Sequence, residues 1–116
     1  MRDGMFSITF QGREGAGMGI MIFDSGRVCG TDTEGTRYDG GYVYDEATGL
    51  AEVKVKVTFP PNVHAVFGIS HPHEWAIDVT AKFNPNRESG PLQVSTSIGQ
   101  PLQAQYKFLR ALPEAA

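Results

Sequence analysis

The sequence predicts an all-β chain wound into a small antiparallel barrel, and three observations point there. Apolar and polar residues alternate with a period of two along much of the chain. This is clearest where Val53, Val55, Val57 and Phe59 interleave with Glu52, Lys54, Lys56 and Thr58. Glycine and proline, 14 and 7 of 116 residues, break the chain too often for long helices and suit short strands and turns. Most connections between the alternating runs are short, and short connections join antiparallel neighbours.

The elements follow in order. Met5 to Phe10 sets Phe6, Ile8 and Phe10 on one face against Ser7 and Thr9 on the other. After the glycine-rich turn from Gln11 to Gly17, Met18 to Phe23 is apolar on both faces: Met18, Ile20 and Ile22 on one, Gly19, Met21 and Phe23 on the other. Such a strand needs cover on both sides. Asp24-Ser25-Gly26 makes a short hairpin connection into Arg27 to Asp32, a weaker strand whose apolar members are Val28 and Cys29. Beyond Glu34-Gly35, Arg37 to Tyr44 places Tyr38, Gly40, Tyr42 and Tyr44 in one row, and Asp45 to Gly49 turns the chain into the valine-rich strand.

Phe59-Pro60-Pro61 ends that strand. Asn62 is then placed to cap a short helix with Val63, Val66 and Phe67 at helical spacing and Gly68 as its stop. Trp75 to Phe83 alternates again, with Trp75, Ile77, Val79, Ala81 and Phe83 inward. A polar loop from Asn84 to Pro91 leads to Leu92, Val94, Thr96 and Ile98, and a turn at Gly99-Gln100-Pro101 leads to Leu102, Ala104, Tyr106 and Phe108. The tail from Ala111 is expected to fray.

Eight strands in meander order leave two edges if the sheet stays open, and closing it removes both. The predicted architecture is therefore an eight-stranded, up-and-down, lipocalin-like barrel with one short helix, in a single domain spanning 1–116, its 60–73 segment plugging or lidding one end. A two-sheet sandwich is the alternative.

Composition narrows function. Ten Lys+Arg against 13 Asp+Glu give a net charge of −3, which disfavours nucleic acid and anionic membrane surfaces as partners. The lone Cys29 has no internal disulfide partner and reads as a small buried or half-buried thiol. The start, Met1-Arg2-Asp3-Gly4, lacks the apolar core of a signal peptide, and no apolar run is long enough to span a bilayer, so the expected location is the cytoplasm.

Candidate chemistry is sparse. His64, His71 and His73 fall within one short stretch, and His71 and His73 would point the same way on an extended segment, as metal ligands do. With no cysteine nearby and nothing fixing His64 against the pair, they read instead as solvated loop residues, and no metal or cofactor is expected. Asp24, Asp32, Asp39, Asp45 and Glu46 lie in or beside turns, where aspartate bonds its own backbone. The glycines around Gly12, Gly15, Gly17 and Gly19 precede a strand, not the helix that a phosphate loop requires. No catalytic constellation emerges, and no enzyme is expected. The inward residues Phe6, Ile8, Phe10, Tyr38, Tyr42, Phe59, Trp75, Ile77, Phe83, Tyr106 and Phe108 read first as core, since small barrels are often filled, and otherwise as the lining of a cavity for a small apolar ligand.

Three segments carry a family resemblance: Asp3 to Phe10, the glycine-marked hairpin from Gly17 through Gly26 to Asp32, and Tyr38-Asp39-Gly40-Gly41-Tyr42, with Val79 to Phe83 also fitting. Together they resemble the negative regulators of type III secretion, the GrlR-like proteins. The resemblance implies a homodimeric cytoplasmic barrel with an apolar cavity, acting by holding a transcriptional activator inactive. Family members recognise that partner largely through an acidic tetrad in a loop. This chain has only Asp45-Glu46 at its nearest acidic turn. Dimerisation is also expected from the two-faced strand, with Gly19, Met21 and Phe23 as the exposed interface; cover by the short helix is the rival explanation.

Overall fold

The computed structural model describes residues 3–99 and 102–114. Eight strands follow one another in chain order: β1 (Gly4–Gly12), β2 (Gly15–Asp24), β3 (Arg27–Thr31), β4 (Arg37–Asp45), β5 (Leu50–Phe59), β6 (Trp75–Phe83), β7 (Ser89–Thr96) and β8 (Gln103–Ala111). Every sequential pair is antiparallel, and β8 returns to pair with β1, closing the barrel. Closure gives every strand a neighbour on both sides along at least part of its length. Ala111, expected in a frayed tail, is paired with Gly4, while Ala115 and Ala116 lie outside the described residues.

Turn chemistry sets the hairpins. Ser25 and Gly26 both take positive φ, 52° and 84°, the type I′ pattern whose twist matches that of the flanking strands. At the β3–β4 turn, Asp32 Oδ1 accepts the backbone N–H of Glu34 (2.9 Å) and of Thr36 (3.1 Å), and Gly35 supplies a φ of 86°. Asp45 does similar work between β4 and β5, accepting from the Ala47 N–H at 2.9 Å.

The short helix does not form. Asn62 sits at a φ of 65°, in the left-handed region, whereas a helix cap needs an extended backbone there. Residues 60–74 instead make a strap of turns held by Asn62 N–H to His71 O (2.7 Å), Ala65 N–H to Ile69 O (2.9 Å) and Gly68 N–H to Ala65 O (2.9 Å). Ala65 and Phe67, two residues apart, are the ones it buries. The strap is docked on the β1–β2 turn by Glu14 N–H to Val66 O at 2.8 Å, and on β4 by the Arg37–Glu74 ion pair at 3.2 Å.

The strand expected from Leu92 to Ile98 begins earlier, at Ser89, and ends at Thr96. Its first half pairs only with β8 and its second half only with β6. That half-pairing accommodates Pro91, which has no N–H to donate: the side of Pro91 facing β6 carries no ladder.

Inward rows fill the barrel unevenly. At the end that carries the β2–β3, β4–β5 and β6–β7 turns, here called the lower end, Phe6 is fully buried. It meets Phe23, Phe83 and Phe108 edge-on at centroid distances of 5.1, 5.7 and 5.3 Å. Tyr106 packs on Phe83 at 4.7 Å, and Tyr42 on Phe23 at 5.2 Å. One to three layers higher the inward positions carry Ile8, Val55, Val57, Val79, Ala81 and Ala104, smaller side chains that leave space at the axis.

Candidate binding cavity and its mouth

The shortfall in side-chain volume leaves a cavity of about 340 Å³ in the upper half of the barrel, within the range of small-molecule sites. Its walls are apolar: Ile8 and Phe10 of β1, Val53, Val55 and Val57 of β5, Ile77, Val79 and Ala81 of β6, Leu92 and Val94 of β7. The strap roofs it with Ala65, Val66 and Phe67, and Phe83 forms part of the floor.

The predicted pocket residues divide between lining and filling. Ile8, Phe10, Tyr38, Phe59, Ile77 and Phe83 line the cavity. Phe6, Tyr42, Tyr106 and Phe108 belong to the aromatic plug beneath it, and Trp75 stacks on the back of Phe59 at 4.5 Å, with 22° between the rings. Trp75 Nε1 and Thr96 Oγ1 are buried and without hydrogen-bond partners.

The expected interface of Gly19, Met21 and Phe23 is not on the surface. Register decides the point: Phe6 stands opposite Met21 and Ile8 opposite Gly19, and directly paired residues share a face, so this row turns inward. Phe23 is only 2% exposed. Gly19 is inside for a reason, because a Cβ there would come within 3.3 Å of the Tyr38 ring. The outward row of β2 is Met18, Ile20 and Ile22, with Met18 56% exposed. Cys29, paired between Ile22 and Asp39, is exposed, not buried.

A mouth opens where β2 overhangs β3. The two strands pair only from Ile20–Thr31 downward, so Gly15 to Gly19 have β1 on one side and no strand on the other. Ala16 and Met18 on that overhang, Thr33 and Glu34 on the β3–β4 turn and His64 on the strap are the exposed members of the lining, and they frame the opening. Asp32 and Tyr38 stand just inside. The Tyr38 hydroxyl donates to Asp32 Oδ2 at 3.0 Å. Burial first, then the Asp32 charge and hydrogen bond, push the phenol pKa well above its ordinary value. No lining position carried a motif; the mouth arises from the offset between two hairpins.

His71 and His73 stack at 5.2 Å, and His71 meets Trp75 edge-on at 4.8 Å, while His64 lies apart at the mouth. Among the described residues, no group of three or more His, Cys, Asp and Glu side chains is placed to hold a metal ion. At the opposite end of the barrel, Asp45 and Glu46 are exposed in the β4–β5 turn, with Asp45 Oδ1 engaged by the turn backbone. Tyr42 donates to Asp3 and Tyr106 to the Asn84 carbonyl at that same end.

The chain matches no protein-family model, and a search of curated proteins finds no match.

Proposed function

We propose that this protein is a non-enzymatic barrel that takes up one small apolar molecule in the upper cavity, as a carrier or sensor. The observation that supports it most is the void of about 340 Å³, walled by apolar side chains and reached by a defined mouth. An interior meant only for stability would be filled, since unfilled volume forfeits contacts. The groups suited to acid–base work, Asp32, Glu34, Tyr38 and His64, gather at the mouth and not along the apolar walls; the Asp32 carboxylate already accepts from three donors, and Cys29 lies on the outer face. A thermal shift with a neutral apolar dye, run beside native mass spectrometry of the purified protein, tests the reading. Saturable stabilisation is expected. The absence of both a shift and a retained ligand would end it.

A second reading rests on the resemblance to negative regulators of type III secretion: a cytoplasmic homodimer that holds a transcriptional regulator. It is favoured by the outward apolar row of Met18, Ile20 and Ile22, with Met18 56% exposed, and by the exposed Asp45-Glu46 turn. Replacing Ile20 by Lys should convert a dimer to a monomer in light scattering. Replacing Asp45 and Glu46 by Lys should weaken capture of the regulator, and unchanged capture would remove that turn from the reading.

A further inference from the structure

We infer that the ligand of the upper cavity is a monocationic amphiphile, an apolar tail bearing an ammonium head, and that the mouth selects against fatty acids. The inference rests on the cavity reading above and adds the chemistry of the head group. Below the mouth the lining is aliphatic and aromatic and offers nothing to a charge. At the mouth, among the described residues, the acidic members of the lining are Asp32 and Glu34, and no Lys or Arg joins them. The single basic lining group is His64, exposed on the strap. Arg37, next to the turn, is turned away from the cavity into its ion pair with Glu74.

The two carboxylates differ in what they have free. Asp32 is fixed by the N–H groups of Glu34 and Thr36 and by the Tyr38 hydroxyl, so it contributes a stationary negative charge just inside the opening. Among the described residues the Glu34 side chain makes no such bonds, and it stands exposed at the rim, with its charge available to an arriving head group. An apolar tail inserted between the β2 overhang and the strap would leave its head beside this turn. A carboxylate head would meet two like charges where low-dielectric walls weaken screening, while an ammonium head would meet two opposite ones.

The test holds the tail constant and exchanges the head. Decylammonium, 1-decanol and decanoate are titrated at pH 8 and low ionic strength, read by the fluorescence of Trp75, which stacks on the cavity residue Phe59. The expected order is ammonium tightest, alcohol between, carboxylate weakest, with about tenfold separating the ends. Glu34→Gln should reduce ammonium affinity by about two- to fivefold and leave decanol unchanged, and Glu34→Lys, which sets one cation beside Asp32, should bring the two ions close to equal affinity. Added salt should narrow the spread in the parent protein. Equal binding of all three heads, decanoate as the tightest, or an ammonium preference undiminished in Glu34→Lys would each overturn the inference while leaving the cavity in use. Failure of all three to bind would remove the cavity reading itself. Circular dichroism of both variants should match the parent, since Glu34 is an exposed turn residue.

Discussion

At the lower end of the barrel, Phe6, Phe23, Phe83, Tyr106 and Phe108 reach one another across the axis. Higher in the barrel, Ile8, Val55, Val79, Ala81 and Ala104 do not. Both regions obey the same inward–outward alternation, and both are enclosed by the same eight strands. The upper region has aromatic residues too, Phe10, Tyr38 and Phe59, but most of its lining is β-branched or smaller. An eight-stranded interior is just wide enough for large side chains to fill, so aromatic residues make a plug and β-branched or smaller ones make a chamber. Hydrophobic pattern specifies a barrel; residue size decides where that barrel is hollow.

The largest expected effect comes from breaking the plug. Phe6→Ala removes a ring with no exposure and four aromatic neighbours, and should cost about 3–5 kcal/mol in denaturant unfolding. In the chamber, Val55→Phe should do the reverse of damage. The ring enters existing space, stability stays within about 1–3 kcal/mol of the parent, and affinity for a neutral apolar dye falls at least about tenfold. A variant that still binds dye with parental affinity would place the binding site elsewhere. Val55→Ala should cost only about 1.5 kcal/mol, close to the transfer free energy of the carbons removed, because much of the surrounding space is already empty. A loss equal to that of Phe6→Ala would mean the upper half is packed as tightly as the lower.

The smallest effect is alkaline. Burial raises the pKa of Tyr38, Tyr42 and Tyr106 in the folded state; at Tyr42 the hydrogen bond to Asp3 adds to it. Below pH about 10, the ordinary phenol value, both states keep these protons and their contribution to stability is whole. Above it the unfolded chain loses them first, so stability should fall as pH rises, visible as a declining midpoint of thermal unfolding. Tyr38→Phe should flatten the part of that decline that belongs to the chamber, leaving the part from Tyr42 and Tyr106 at the plug.

Much of this was legible in the chain, in uneven measure. The row of Val53, Val55, Val57 and Phe59 could be read because Glu52, Lys54, Lys56 and Thr58 occupy the alternate positions and leave one face available for burial. β2 could not be read that way, because both its faces are apolar. Gly19, Met21 and Phe23 looked as fit for an interface as Met18, Ile20 and Ile22, and only pairing with β1 separated them. The spacing of Val63, Val66 and Phe67 suggested a helix, but after two prolines Asn62 took a left-handed backbone, and the strap buries Ala65 and Phe67 instead. Glu34 passed as a turn residue, which it is; nothing in its neighbourhood announced that the turn frames an opening.

What the sequence determined by itself is local: where strands run, which turns reverse them, and which rows are apolar. Backbone geometry imposes the period of two within each strand and needs no distant partner. The tertiary structure alone decided which face of β2 turns inward, at what height the aromatic rows meet, and that β2 overshoots β3 to leave a mouth beside Asp32 and Glu34. Those outcomes depend on register between separate strands and on the summed volume of side chains brought together from all around the barrel, quantities that no single segment carries.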